Sequence, residues 1–311
     1  MTENSDAGRL PGAVRGPLWM LASGVCFSLL ALSIRFAARE VHPFEIVFFR
    51  TAVNLAVMVP VLWRIGFFHL RSGRILQHAT RSTTGLVSMS LMFAGISAMP
   101  IADATALTFT IPLFATAGAA LFLGETVRVR RWAAIIVGFC GMLIILRPGI
   151  AVISLPAFLV LGGSIFAAVS TLLIKDLSRT EHPDVIVFYF ALFSAPIAAI
   201  PAVFVWQWPS PETLFWLVMV GICATGGHMT MTRAFAAADA SAVFPYDYSR
   251  LIFAAILAYF AFSEIPDLWT WIGGGVIFLS SLYISHREAK AARAARERGP
   301  AKRSLEGLPR G

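Results

Sequence analysis

The sequence predicts an all-α integral membrane protein of ten transmembrane helices, built as two inverted five-helix repeats. Three observations predict it. Of 311 residues, 58% are hydrophobic and 14% are charged, whereas an ordinary soluble domain carries about 25% charged residues. The apolar residues also come in long runs: 82–124 holds one charged residue, Asp103, and 149–174, 185–211 and 213–232 hold none. Since about 20 apolar residues cross a hydrocarbon core of about 30 Å, such runs are bilayer spans. Finally, the second half of the chain repeats the first.

Breaks at charges, prolines and glycines give the spans in order. The first, 17–36, follows a head carrying Glu3, Asp6, Arg9 and Arg15; no small-residue cleavage pattern follows it, so it is read as a span and not a signal peptide. The second, 44–63, opens after His42-Pro43 and carries Arg50; the third, 82–99, starts after Arg81. The fourth, 101–123, follows Pro100 and contains Pro112, and the fifth, 131–147, runs from Arg131 to Arg147. The sixth, 152–174, stops before Lys175; the seventh, 184–206, follows His182-Pro183; the eighth, 212–233, ends at Arg233. The ninth, 240–263, contains Pro245, and the tenth, 267–285, follows Pro266. The connections are too short for an inserted soluble domain. Four segments are expected: a tail over 1–16, a first repeat over 17–148, a second over 149–286 and a basic tail over 287–311.

Lys and Arg are enriched in cytoplasmic loops. With the N-terminus inside, 20 of the 25 fall on the cytoplasmic side, Arg81 among them; Arg35, Arg39 and Arg147 fall opposite, and Arg50 and Arg250 lie within spans. Both termini are expected in the cytoplasm. The surplus of +8 is then a matter of topology. The basic tail has no interleaved aromatic residue to stack bases, so lipid head groups are its expected contact and nucleic acid is not.

Residues 39–49 read REVHPFEIVFF and 179–189 read RTEHPDVIVFY, identical at six of eleven positions at an offset of 140. Ala102-Asp103-Ala104-Thr105 is echoed by Ala238-Asp239-Ala240-Ser241, and Glu125 and Trp132 pair with Glu264 and Trp271. Five spans are an odd number, so the two repeats insert with opposite orientations and can expose a midplane site to each side in turn.

Other function classes lack their signatures. Cys26, Cys140 and Cys223 lie in apolar stretches and read as small hydrophobes, without disulfide or metal site. No HExxH, GxSxG, CxxC or Walker-type motif is present, so no cofactor and no ATP site is expected. Gly138-x-x-Gly141, Gly162-Gly163 and Gly273-Gly274-Gly275 permit close helix approach.

The most polar stretch inside any span is Phe244-Pro245-Tyr246-Asp247-Tyr248-Ser249-Arg250. A helix beginning at Ala240 would place Arg250 about 15 Å deep, where a guanidinium needs water, a ligand or a counter-charge. Asp247 lies one turn back, so the pair is either part of a binding pocket or a self-neutralising strut. Tyr246 and Tyr248 add aromatic surface beside the cation. Pro245 and Pro112 each free a carbonyl one turn earlier, and Thr105, Thr108 and Thr110 are expected to face the same cavity. Arg50 is expected to snorkel to the near interface or pair with a loop, against the alternative of substrate contact. Asp103 and Asp239 complement the dipoles of the helices they start. His228 is either a proton carrier or a buried hydrogen-bonding histidine.

These features resemble the drug/metabolite transporter superfamily, in particular its ten-helix family of two EamA domains. The resemblance rests on the inverted halves, on LFLGE at 121–125 and FAFSE at 260–264, and on RWAAIIVGFCGMLIILRPG at 131–149. FEIVFFR at 44–50 and the stretch from Arg233 to Asp267 are similar to bacterial S-adenosylmethionine uptake carriers and riboflavin transporters. It implies cytoplasmic termini and a central cavity lined by spans 1, 3, 4, 6, 8 and 9. On this chain that favours Ser28, Ser88, Thr108, Ser164, His228, Tyr246 and Arg250 as lining residues, the serines chosen by polarity. The expected function is a secondary transporter in the bacterial inner membrane, moving a small polar organic metabolite by alternating access. The alternative is an integral-membrane enzyme or lipid-modifying subunit, which requires a nucleophile and a base converging at one interface.

Overall fold

The computed structural model describes residues 12–65, 72–122, 129–146, 154–177, 180–181, 183–237, 246–283 and 286, and all their regular structure is helical. In order the helices are α1 (Gly12–Ala37), α2 (Pro43–Ile65), α3 (Ile75–Ala98), α4 (Ile101–Thr108), α5 (Ile111–Phe122), α6 (Val129–Leu146), α7 (Leu155–Leu177), α8 (Pro183–Val205), α9 (Pro211–Ala237), α10 (Ser249–Phe262) and α11 (Leu268–Tyr283). α4 and α5 are the two pieces of the fourth span, which makes ten spans in all. Five of the described segments, in spans 1, 4, 6, 7 and 8, are long and apolar enough to cross a membrane on length and composition alone. Pro245, Asp239, Glu125, the joint at Pro148-Gly149 and both tails lie outside the described residues.

Two boundaries differ from expectation for identifiable reasons. The fourth span breaks at Phe109 and Thr110 because Pro112 supplies no N–H to the carbonyl of Thr108. The chain tightens there, with Phe109 N donating to Ala106 O and Thr110 N to Leu107 O. The third span begins at Ile75 instead of residue 82, because its polar first turns are covered by aromatic rings of α8. His78 stacks on Tyr189 at 4.5 Å and the Arg81 guanidinium sits 4.0 Å above Phe190. Arg81 is therefore a residue of a span and not of a loop.

The helix pairings obey the two-fold relation expected of inverted repeats. Span 1 packs on span 8 and span 3 on span 6; span 2 packs on span 7, and span 4 on span 9. Exchanging the halves turns the first pair into the second and each of the others into itself. The two principal crossings even share their chemistry. Ser23 Oγ donates to Gly227 O at 2.9 Å across spans 1 and 8, and Ser88 Oγ donates to Gly163 O at 2.8 Å across spans 3 and 6. Gly227 and Ser88 are equivalent at an offset of 139. Spans 5 and 10 meet at Gly141 and Gly273, where a Cβ on either would lie under 3.0 Å from the other's carbonyl oxygen.

Both ends of the bundle are tied across the halves. At the end holding the α1–α2 turn, Arg35 pairs with Glu264, while Glu40 accepts from Ser210 and Thr213. At the other end, Arg74 pairs with Asp176 and donates to Thr180 Oγ1 at 2.9 Å, and Ser72 donates to Glu181 at 2.6 Å. Between the ends the helices are held by apolar clusters, the largest centred on Ile34, Ile46, Leu86, Phe93, Leu217 and Val220.

Candidate functional site

Arg250 organises the centre of the molecule. It is the second residue of α10 and not, as a helix from Ala240 would have it, ten residues in. Measured from the other terminus at Phe262, twelve residues at about 1.5 Å each still put it about 18 Å deep, near the midplane. Its Nη2 donates to Thr108 Oγ1 at 3.0 Å, at the point where the fourth span breaks. The guanidinium carbon is 4.9 Å from the centre of the Phe109 ring and 5.7 Å from that of Phe27. A cation over two aromatic faces gains about 0.5 to 2 kcal/mol per contact. Ser28 fixes the backbone here, donating to Gly24 O at 2.8 Å and to Arg250 O at 3.0 Å. Gly24 allows that approach, since a Cβ there would meet Ser249 Oγ at 3.0 Å.

From Phe27 the site continues to α9. The Phe27 and His228 rings meet edge to face, with centroids 5.2 Å apart and planes at 82°. His228 keeps exposed surface on α9 beside this contact. It was expected either to carry protons or to be a buried hydrogen-bonding histidine; its ring forms no hydrogen bond among the described residues.

Arg50 and Arg81 are two further arginines inside the bundle. Arg50 is 9% exposed and points at Met89 Sδ of α3, so the snorkelling expectation is corrected. Its potential local partner is engaged elsewhere: Glu45 accepts from the backbone of Gln207 at 3.3 Å and of His42 at 3.4 Å. Arg50 thus meets α3 at Met89, eight residues beyond Arg81, which lies over Phe190 in the second turn of that helix. Arg50 Nε, Arg250 Nε, and Arg81 Nε and Nη1 are buried without a hydrogen-bond partner. Each charge at this depth costs at least about 2.5 to 3.5 kcal/mol unless compensated.

The other expected site residues are placed as follows. Asp247 is partly exposed and forms no ion pair with Arg250, which removes the strut reading. Tyr246 is exposed in the helical residues that precede the break at Tyr248. Tyr248 turns away toward α11, its ring 4.4 Å from Phe278 and 5.5 Å from Phe109. Ser88 and Ser164 are fully committed at the α3–α7 seam, Ser88 to Gly163 O and Ser164 to Val160 O at 2.9 Å. Of the three threonines, Thr108 alone reaches Arg250; Thr105 is buried, and Thr110 donates to Leu107 O at 2.6 Å. Asp103 lies in the first turn of α4, as its dipole role requires, and accepts from Thr270. Sequence reasoning missed Phe27 and Phe109. Phe109 carried one usable signal, its place beside Thr108 before a helix-breaking proline; Phe27 carried none.

The model of the EamA-like transporter family matches residues 14–147 and again 154–286, and the chain belongs to that family, within the drug/metabolite transporter superfamily. Its relatives include the riboflavin transporter of Rhizobium johnstonii, 32% identical across 97% of this chain and 99% of that one. The riboflavin transporter of Vibrio cholerae is 30% identical, covering 91% and 97% respectively. The S-adenosylmethionine uptake transporter of Rickettsia bellii is 31% identical, covering 88% and 94%. A solved crystal structure superposes with a TM-score of 0.61 over 88% of this chain and 98% of its own, at 18% identity, and supports the fold alone.

Proposed function

We propose that this protein is a secondary transporter of the bacterial inner membrane, with both termini in the cytoplasm, which carries a small polar organic metabolite by alternating access. The observation that carries the reading is the bond from Arg250, in the second repeat, to Thr108, in the first. It joins the two inverted halves through polar groups and so supports a site at the seam between them, which rocking of the halves would open to alternate sides. The ties at both ends of the bundle join the same two halves, so each opening requires one set to part. Riboflavin, S-adenosylmethionine and amino acids are the first solutes to test, given what the relatives are named for. We read the protein as a carrier and not an enzyme, since its relatives are named transporters and the central groups comprise no nucleophile with an adjacent base.

The test is uptake of labelled riboflavin, S-adenosylmethionine and amino acids into vesicles containing the full chain, with and without Arg250→Ala. Saturable uptake lost in the variant supports the reading. Uptake unchanged by Arg250→Ala removes Arg250 from the site, and absence of flux for every solute, with no alternating accessibility of single cysteines, overturns transport.

A further inference from the structure

Three arginines lie inside the bundle, Arg50, Arg81 and Arg250, and none of them pairs with a carboxylate among the described residues. Among the described residues the two ion pairs, Arg35 with Glu264 and Arg74 with Asp176, lie at the ends of the bundle. Asp247, the carboxylate nearest Arg250 in sequence, pairs with none of the three. Arg50 is nine-tenths buried with Nε unpartnered, and unpartnered guanidinium nitrogens recur on Arg81 and Arg250. A buried donor left without an acceptor is costly, and a planar guanidinium fork matches the two oxygens of a carboxylate or phosphate.

We propose that the transported solute is an anion, whose carboxylate or phosphate group accepts from the Arg250 donors that no protein group satisfies, with Arg50 and Arg81 adding positive charge inside the bundle. This rests on the transport reading of the same site. The aromatic rings Phe27 and Phe109, which already stack on Arg250, flank the remainder of the solute and favour a planar or apolar body. S-adenosylmethionine has a carboxylate but brings a sulfonium and an ammonium with it, so its net positive charge is disfavoured here, and neutral riboflavin leaves the guanidinium groups unsatisfied. The site therefore favours a solute of net negative charge, which neither riboflavin nor S-adenosylmethionine carries.

Matched solutes that differ in charge alone test the proposal. Binding to the full chain in lipid nanodiscs is measured for flavin mononucleotide against riboflavin, for pantothenate against pantothenyl alcohol, and for S-adenosylmethionine. The expected result is at least tenfold tighter binding of one or both anions than of their neutral twins. Arg250→Gln should abolish that preference, and Arg250→Lys should restore part of it. Equal or tighter binding of the neutral twins or of S-adenosylmethionine overturns the proposal, as does failure of both anions to bind. The wild-type comparison stands even if a variant fails to fold. Saturable flux of riboflavin or S-adenosylmethionine without any anion preference would sink the anion assignment and leave transport intact. Anion binding without flux would do the reverse.

Discussion

Arg35 Nη2 lies 2.6 Å from Glu264, joining the last turn of α1 to the residue just past the end of α10. The other Glu264 oxygen accepts from Ile101 N at 3.1 Å, and Arg35 donates to Met99 O, so one ion pair gathers spans 1, 4 and 9 at a single point. Ser263 turns the chain to present Glu264 by adopting a left-handed conformation with φ of 56°. The pair is a latch between the halves at this end of the bundle. With its side chains 23% and 19% exposed, it contributes about 1 kcal/mol to closure. Arg35→Gln and Glu264→Gln should each raise the reactivity of a cysteine placed at Met99 about fivefold toward a membrane-impermeant reagent, with Cys26, Cys140 and Cys223 replaced. The charge-swapped double variant should return it toward the starting value.

Glu40 makes the same end sensitive to acid. Hydrogen bonds from the Ser210 and Thr213 hydroxyls and from Ser210 N hold its carboxyl below the usual carboxylate range. A group whose pKa is lowered in the closed form favours that form above its free pKa, about 4.3, and the contribution fades as pH falls through the lowered value. Acidification below about pH 5 should therefore loosen the contact between the α1–α2 turn and α9. Hydrogen exchange at Ser210 and Thr213 would report it, and Glu40→Gln should remove the acid-dependent part.

The spans were legible because a bilayer imposes one rule on every apolar run; Pro112 marks where span 4 is weakened, but its missing N–H does not say that the helix ends there. The start of α3 was not legible: reading a boundary at Arg81 assumes that charge meets water, whereas Phe190 covers this one. The same limit applies to the site. Arg250 and Thr108 stand out as polar residues at membrane depth, but depth does not say which way a side chain turns. Arg50 points inward to Met89 instead of outward, and Tyr248 packs on Phe278. Ser88 and Ser164 show the converse error, since their hydroxyls are spent on backbone carbonyls that polarity alone does not reveal. Phe27 is one of 25 phenylalanines, and nothing local distinguishes it.

Adjacent glycines in α9 separate close packing from mere tolerance. A Cβ on Gly227 would stand 2.9 Å from the Phe27 ring, whereas one on Gly226 would meet Cys26 Sγ at an ordinary 3.6 Å. Gly227→Ala should destabilise the protein by about 1 to 3 kcal/mol through overpacking and displace the ring that stands between Arg250 and His228. Gly226→Ala should be neutral or stabilising by up to about 1 kcal/mol, since alanine favours helix. Thermal unfolding in detergent gives the order, and equal midpoints for the two variants would refute the packing argument.

Thr108 is the only described side chain that hydrogen-bonds the Arg250 guanidinium, and its hydroxyl also donates to Thr105 O at 2.7 Å. The hydroxyl hydrogen is thus spent on the backbone, which leaves its oxygen to accept from Arg250 and fixes the direction of that bond. Thr108→Val keeps the shape and removes the acceptor, leaving a further guanidinium N–H unsatisfied at a cost of about 1.5 to 3 kcal/mol. If the solute does not take over that donor, its affinity should fall about tenfold or more while the bundle stays folded; Thr108→Ser, which keeps the oxygen, should stay within about threefold of wild type. If Thr108→Val instead tightens binding, the freed N–H has been donated to the solute, and Thr108 competes for Arg250 in the empty site. Binding isotherms for the three proteins, with circular dichroism as the check on folding, distinguish a residue that orients Arg250 from one that the solute must displace.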